Sequence, residues 1–309
     1  MHHIIFNPIA GRGLSKTKYL PMLTAMFEKY NLPFTAHETT KPKHAYEIAK
    51  QLCKAPEDCS GIVGVGGDGT IQEIVAGMVD SFPGQKIPMP LAIFPGGSGN
   101  DFAMAIEGGK SAMKKKLKNN TLTDIFVERI YKRELRTVDL INVNGEAYLV
   151  AGNMGIDARI VRDAIELKPK FGGQAYLVAA YKSIMNHKNI PLTLEIDGEI
   201  ITKDFTLVAV CNNSTYGGGL PISPSARFDD GKITLCMVNG MSRLKLGVLF
   251  PSLLFKKHVH LKDISFVDCQ EVKITLPPGT ETLCLDGNLF PKEGQLHFRI
   301  MPQILDVFA

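Results

Sequence analysis

Three short stretches hold the groups of this 309-residue chain best suited to chemistry: "FNPIAGRG" (6–13), "GVGGDGT" (64–70) and "FPGGSGNDFA" (94–103). Each follows an apolar run of strand type. Glycines at such turns let main-chain amides approach a phosphate with no Cβ in the way, and a following helix adds free N–H groups and a partial positive charge. A carboxylate in that setting repels phosphate unless a divalent cation or a hydroxyl donor lies between them. Asp68 is therefore read as an acid placed for a metal-bound nucleotide or for a hydroxyl group. The plainer alternative is an Asp that bonds its own turn. A second glycine-rich turn after a neighbouring strand weakens that alternative. Thr70 with Glu73 three residues on fits a capping box, which predicts a helix beginning at Thr70.

The elements that would position these turns are legible by period. Through about residue 110, short apolar runs ("HIIF", "GIVGV", "LAIF") alternate with helical stripes, among them Ile71, Ile74, Val75 and Met78. That alternation reads as a doubly wound parallel sheet, whose ligands bind beyond the carboxyl ends of the strands. After about residue 135 the period becomes two. "VDLINVNGEAYLV" and "LTLEIDGEIITKDFTLVAV" carry Asn-Gly and Asp-Gly at their centres, a hairpin signal, so the second half is expected to be mostly antiparallel sheet.

Composition excludes several classes. With 45% apolar and 21% charged residues the chain can fill two cores, and its net charge of +4 is spread out, which gives nucleic-acid binding no support. Six cysteines without a CxxC pair predict reduced thiols in the cytosol. No apolar run reaches the roughly 18 residues of a membrane span, so action on lipid would be from the surface. Two stretches suit such contact: 244–262, apolar with basic ends, and the lysines 114, 115, 116 and 118. Leu246, Leu249, Leu253 and Leu254 read first as core. His258 and His260 have metal-like spacing on an expected strand, without an evident third ligand.

In the combination "FNPIAG", "GGDGTIQE" and "PGGSGNDFA", continued by "GNMGIDA", "CNNSTYGGGLPISPSARFDDGKI" and "LCLDGN", the chain resembles the diacylglycerol kinase catalytic family over nearly its whole length. The likeness is to the soluble bacterial lipid kinases above all, and more distantly to sphingosine and ceramide kinases. It implies an NAD kinase-like α/β domain over 1–130, a mostly antiparallel β-sandwich lipid-substrate domain over 131–296, and a last segment, 297–309, returning to the first domain. It also implies ATP in the cleft between the domains and transfer of its γ-phosphoryl group to a lipid hydroxyl.

Carried over by position, the resemblance implies nucleotide contacts at Asn7, Gly11, Thr39 (Thr40 in the alternate register), Gly66, Gly67, Asp68, Gly69, Thr70 and Ser98. Ser98 stands where the family usually has Thr. Asp230, with the carbonyls of Arg227 and Lys232, matches a structural Mg²⁺ site, although Asp230-Gly231 also reads as a hairpin turn. Asp286 matches the carboxylate that activates the lipid hydroxyl. Asn288 replaces a glutamate usual in the family, and an amide cannot accept a proton in the working pH range.

The expectation is thus a cytoplasmic lipid kinase, peripheral to the inner face of the membrane, with Asp68 and Asp286 catalytic and Asn288 a weakened catalytic position. A homodimer is left open. A nucleotide-binding protein with weak or no transfer, prompted by Asn288, is the alternative. A kinase for a soluble molecule such as NAD shares "GGDGT" but fits "GNDFA" and the β-rich second half poorly. Asp68→Asn is expected to cut turnover while leaving the melting temperature nearly unchanged.

Overall fold

The computed structural model describes the chain apart from Asn120, Gly172, Gly173, 278–282, Gly287 and 291–293, and apart from the side chains of Ala151, Val248, Phe250, Pro251, Leu254 and 288–290. Four parallel strands, β1 (His2–Phe6), β2 (Phe34–Glu38), β3 (Gly61–Gly66) and β4 (Leu91–Pro95), lie in the order β4-β3-β1-β2. Successive side chains of a strand point to opposite faces. Ile4, Phe6, Val63 and Val65 accordingly pack under α1 (Leu20–Lys29) and α6 (Leu122–Lys132). Ile5, Ile62 and Ile93 pack under α2 (His44–Leu52) and α3 (Asp68–Ser81). Covered on both faces, β3 and β4 are buried along their whole length, which is why they read as unbroken apolar runs. Two short helices, α4 (Asp101–Ile106) and α5 (Lys110–Lys118), follow the third glycine turn.

The second half is antiparallel. Its strands are β5 (Leu135–Val143), β6 (Glu146–Tyr148), β7 (Ala151–Gly155), β8 (Ile190–Ile196), β9 (Glu199–Cys211), β10 (Ile233–Asn239), β11 (Ile264–Cys269), β12 (Glu271–Leu276), β13 (Leu283–Leu285), β14 (Asn288–Phe290) and β15 (Gly294–Phe308). Both expected hairpins form. Asn144-Gly145 turns with φ of 51° and 98°, and Asp197-Gly198 with 46° and 93°, as two-residue turns joining twisted strands require. Alternate residues of β9 serve two cores: Val208 and Val210 face the sandwich interior, while Leu207, Ala209 and Cys211 face a helical layer.

Beside the mostly antiparallel sheet expected for this half stands a helical layer the sequence reading did not specify, α7 (Ile156–Phe171), α8 (Ala175–Met185) and α9 (Arg243–Leu254). Ile156, Ile160 and Ala164, four residues apart, carry the helical period that the surrounding hairpin pattern obscures. Leu246, Leu249 and Leu253 of α9 are core, as read; the Leu254 side chain lies outside the described residues. His258 is buried in a 3₁₀ turn rather than a strand, with Nε2 on the Ile222 carbonyl.

β15 ties the halves together. It pairs with β12, then with β5 across a register shift between Met301 and Leu305, and at Val307 runs parallel beside Leu91 of β4. Asp139, fully buried on β5, accepts the amides of Gln303, inside that shift, and of Gly231, each at 2.7 Å.

Candidate active site

The glycine turns are built against one another. Gly96 N–H donates to the Gly66 carbonyl at 2.8 Å, and a Cβ on Gly97 would overlap the Gly67 Cα. A Cβ on Gly11, whose φ is 60°, would come within 2.7 Å of the Gly96 carbonyl oxygen. These glycines are demanded by the close approach of three loops, beyond any need of a ligand.

Asp68 is the clasp between two of them. Asn100 N–H donates to its Oδ2 and Asp101 N–H to its Oδ1, each at 2.8 Å. A Cβ at Gly99 would collide with that carboxylate. Asp68 thus accepts the first amides of α4, a favourable place for negative charge. Burial raises its pKa, against those two hydrogen bonds. The helix α3 begins at Asp68, two residues before the expected Thr70, and the expected capping box does not form. Glu73 turns instead to the amides of Lys43 and Ala45 at the start of α2, at 2.9 and 3.2 Å. Thr70 Oγ1 accepts from Asn7 Nδ2 at 3.3 Å. The box fails because the long-range amides at the start of α2 outcompete the local cap for Glu73.

Asp286 is held in the same manner. The amides of Leu149 and Val150 donate to its two oxygens at 2.9 and 3.0 Å. Asp68 and Asp286, 218 positions apart, line one recess with Gly66, Gly67, Asn100, Leu149 and Val150. Its 10 Å³ holds about one water. Asn288 pairs by backbone with Leu285 across the β13–β14 hairpin, and its side chain lies outside the described residues.

The remaining candidates lie outside the lining of this recess. Asn7 and the buried Thr39 are at the carboxyl ends of β1 and β2, with Thr39 N–H on the Phe6 carbonyl at 3.0 Å. Thr40 turns to His44, whose Nδ1 accepts its amide at 3.0 Å. Gly69 follows Asp68 in the first turn of α3, and Ser98 is exposed at the tip of its turn. The Arg227, Asp230 and Lys232 group is separate, on the loop that Asp139 holds through Gly231. Asp230 is exposed and accepts the Lys232 amide at 3.2 Å; partial burial, then Asp139 and Asp268, raise its pKa. One carboxylate in acidic surroundings fits a hard cation held also by carbonyls. Among the described residues, no three His, Cys, Asp or Glu side chains gather as a metal site.

Asp101, which the resemblance places in the third loop and which also reads as a turn or helix-start residue, is buried and accepts the amides of Gly218 and Gly219, joining α4 to the "YGGG" loop of the second domain. Other polar groups here escaped the sequence reading. Asp157, at the start of α7, accepts the Tyr216 hydroxyl at 2.5 Å, and burial pushes its pKa up to about 7. Asn212 Nδ2 donates to the carbonyls of Asp139 and Leu149. An acid inside an apolar run, as in "TVDLINV", was the available signal for Asp139. Nothing local marks which amides Asp101 or Asp157 would find.

The fold is that of a known class. The diacylglycerol kinase catalytic domain profile matches residues 2–143, and the YegS C-terminal NAD kinase β-sandwich-like domain profile matches residues 151–309. The chain belongs to this family of lipid kinases. It is 25% identical to a diacylglycerol kinase of Bacillus subtilis over 92% of this chain and 88% of that protein. It is 30% identical to one of Mycobacterium tuberculosis over 69% and 65%. A diacylglycerol kinase structure from Bacillus anthracis shares the fold, with a TM-score of 0.69 at 20% identity over 100% of this chain and 96% of that one.

Proposed function

We propose that the protein transfers the γ-phosphoryl group of ATP to a hydroxyl of diacylglycerol or a related lipid. The observation that carries this reading is the shared recess, where a carboxylate from each domain meets the glycine turns. In the step proposed, the lipid oxygen forms a bond to the γ-phosphorus as the bond to the ADP oxygen breaks. The hydroxyl proton passes to Asp286, whose amide partners fix its oxygens in place. Asp68 holds the second and third glycine turns at the spacing in which Asn7, Gly11, Thr39, Gly66, Gly67, Gly69, Thr70 and Ser98 would surround the nucleotide. Mg²⁺ bound with ATP would neutralise phosphate charge. A second Mg²⁺ at Asp230, with the Arg227 and Lys232 carbonyls, would brace the loop beside Asp139.

No helix among the described residues is long and apolar enough to cross a membrane; in this reading the protein meets its lipid at a membrane surface. Purified protein incubated with labelled ATP, Mg²⁺ and mixed lipids should yield a labelled lipid. A labelled water-soluble product, or binding of ATP without transfer, would overturn the proposal.

A further inference from the structure

A second concave site lies in the second domain, at the start of α9. The segments 187–189 and 241–244 line an open pocket of about 540 Å³, within the size range of small-molecule sites. Its lining shares no residue with the recess of Asp68 and Asp286. Ser242 is the N-cap of α9, and its hydroxyl makes no capping hydrogen bond. The Ser242 carbonyl takes the Leu246 amide, which leaves the amides of Arg243, Leu244 and Lys245 with no carbonyl of the helix to donate to. Free amides at the positive end of a helix favour an anion.

His187 points independently to a ligand. Its side chain is 6% exposed and lines the same pocket. Asn189 Oδ1 takes the Met241 amide at 3.2 Å and the Thr206 hydroxyl at 3.0 Å, so it is an acceptor, and His187 Nε2, at 2.7 Å, carries a hydrogen toward it. His187 Nδ1 is left buried without a partner among the described residues. Burial lowers the His187 pKa, and the charges of Arg159 and Arg243 lower it further, so the ring is neutral and Nδ1 is a bare acceptor. A buried acceptor of this kind is costly until a donor reaches it.

The charges beside it have one sign. Lys188 and Arg243 are exposed, and Arg159 on α7 donates to the Lys188 carbonyl at 3.0 Å. Lys245 is tied to Asp263 at 2.9 Å, and no Asp or Glu lines the pocket. We propose that this pocket binds a phosphate monoester that also carries a hydroxyl group. The phosphate takes the amides of α9, the Ser242 hydroxyl and the cations of Lys188 and Arg243, and the ligand hydroxyl donates to His187 Nδ1.

Calorimetric titration of the full chain tests this, with glycerol 3-phosphate as the free ligand and lysophosphatidic acid in phosphatidylcholine vesicles as the lipid one. Ethyl phosphate, which lacks a hydroxyl, should bind about tenfold more weakly than glycerol 3-phosphate, the order expected when a buried polar group stays unpaired. Lys188→Gln/Arg243→Gln should weaken glycerol 3-phosphate by about tenfold or more and leave the urea midpoint in place, since both side chains are exposed. Loss of binding in this variant for lysophosphatidic acid alone would keep the site and assign it to a lipid headgroup. Equal affinities of wild type and variant for both ligands would overturn the proposal, as would equal binding of ethyl phosphate and glycerol 3-phosphate. Competition by a non-hydrolysable ATP analogue with Mg²⁺ would also overturn it, by placing the bound phosphate in the recess.

Discussion

At the turns around Asp68, polar groups of the chain answer one another: Asp68 takes the amides of Asn100 and Asp101, and Asp101 takes those of Gly218 and Gly219. Along α8, Leu177 and Tyr181 stand in solvent beside a helix face lined with alanine. The first region is assembled before any ligand arrives, so its donors and acceptors need little rearrangement to act. The second sends Ile184 to the core but leaves Leu177 and Tyr181 largely outside it. In the first region the groups proposed for chemistry also hold the fold together; in the second, large side chains contribute little to it.

Substitutions should separate the two regions accordingly. The largest effect belongs to Asp286→Asn, which should lower phosphoryl transfer about 10² to 10⁴-fold, the usual contribution of a positioned base. Labelled transfer measures it, and a near-normal rate would remove Asp286 from the mechanism. Next comes Asp68→Asn. An amide nitrogen would then confront a main-chain N–H, and loss of a hydrogen bond to a charged group should cost about 1.5–3 kcal/mol. A lower urea midpoint at unchanged slope would show this; an unshifted midpoint would restore the sequence expectation of a purely functional Asp68.

Different in kind is the pH effect of Asp157. Its folded pKa of about 7 lies above the ordinary 3.8, so between these values the folded chain holds more of its proton than the unfolded chain does. Stability should fall as pH rises from about 4 to about 7 and then level off. Asp157→Asn should remove this component, and urea titrations of both proteins across that range would break the assignment if their slopes matched. The smallest effect is Leu177→Ser, which should change stability by no more than about 0.5 kcal/mol, as for exposed positions free of special contacts. A clear drop in its midpoint would place Leu177 in the fold rather than outside it.

Much of this was readable in advance, and for definite reasons. β1, β3 and β4 announce themselves as apolar runs because helices cover both faces, and the two hairpins because Asn-Gly and Asp-Gly accept positive φ. The sequence also singled out Asp68 and Asp286 before any geometry joined them. The capping box at Thr70 failed because Glu73 found the amides of Lys43 and Ala45, and α7 and α8 were hidden between hairpins of a different period. Reading Asp68 as an acid waiting for a cation left out the two amides it already holds.

By itself, then, the sequence determined the local matters: strand or helix by period, turns by glycine and asparagine, and the residue types capable of phosphate and proton chemistry. Tertiary structure decided the pairings, since a carboxylate's partner is whichever amide the fold brings within about 3 Å, and that amide can lie more than a hundred residues away, as Leu149 does from Asp286. It also decided the sense of α8. Ala175, Ala179 and Ser183 face inward where α8 packs along α7, and Leu177 and Tyr181 face the solvent, an arrangement that no local period of the chain fixes.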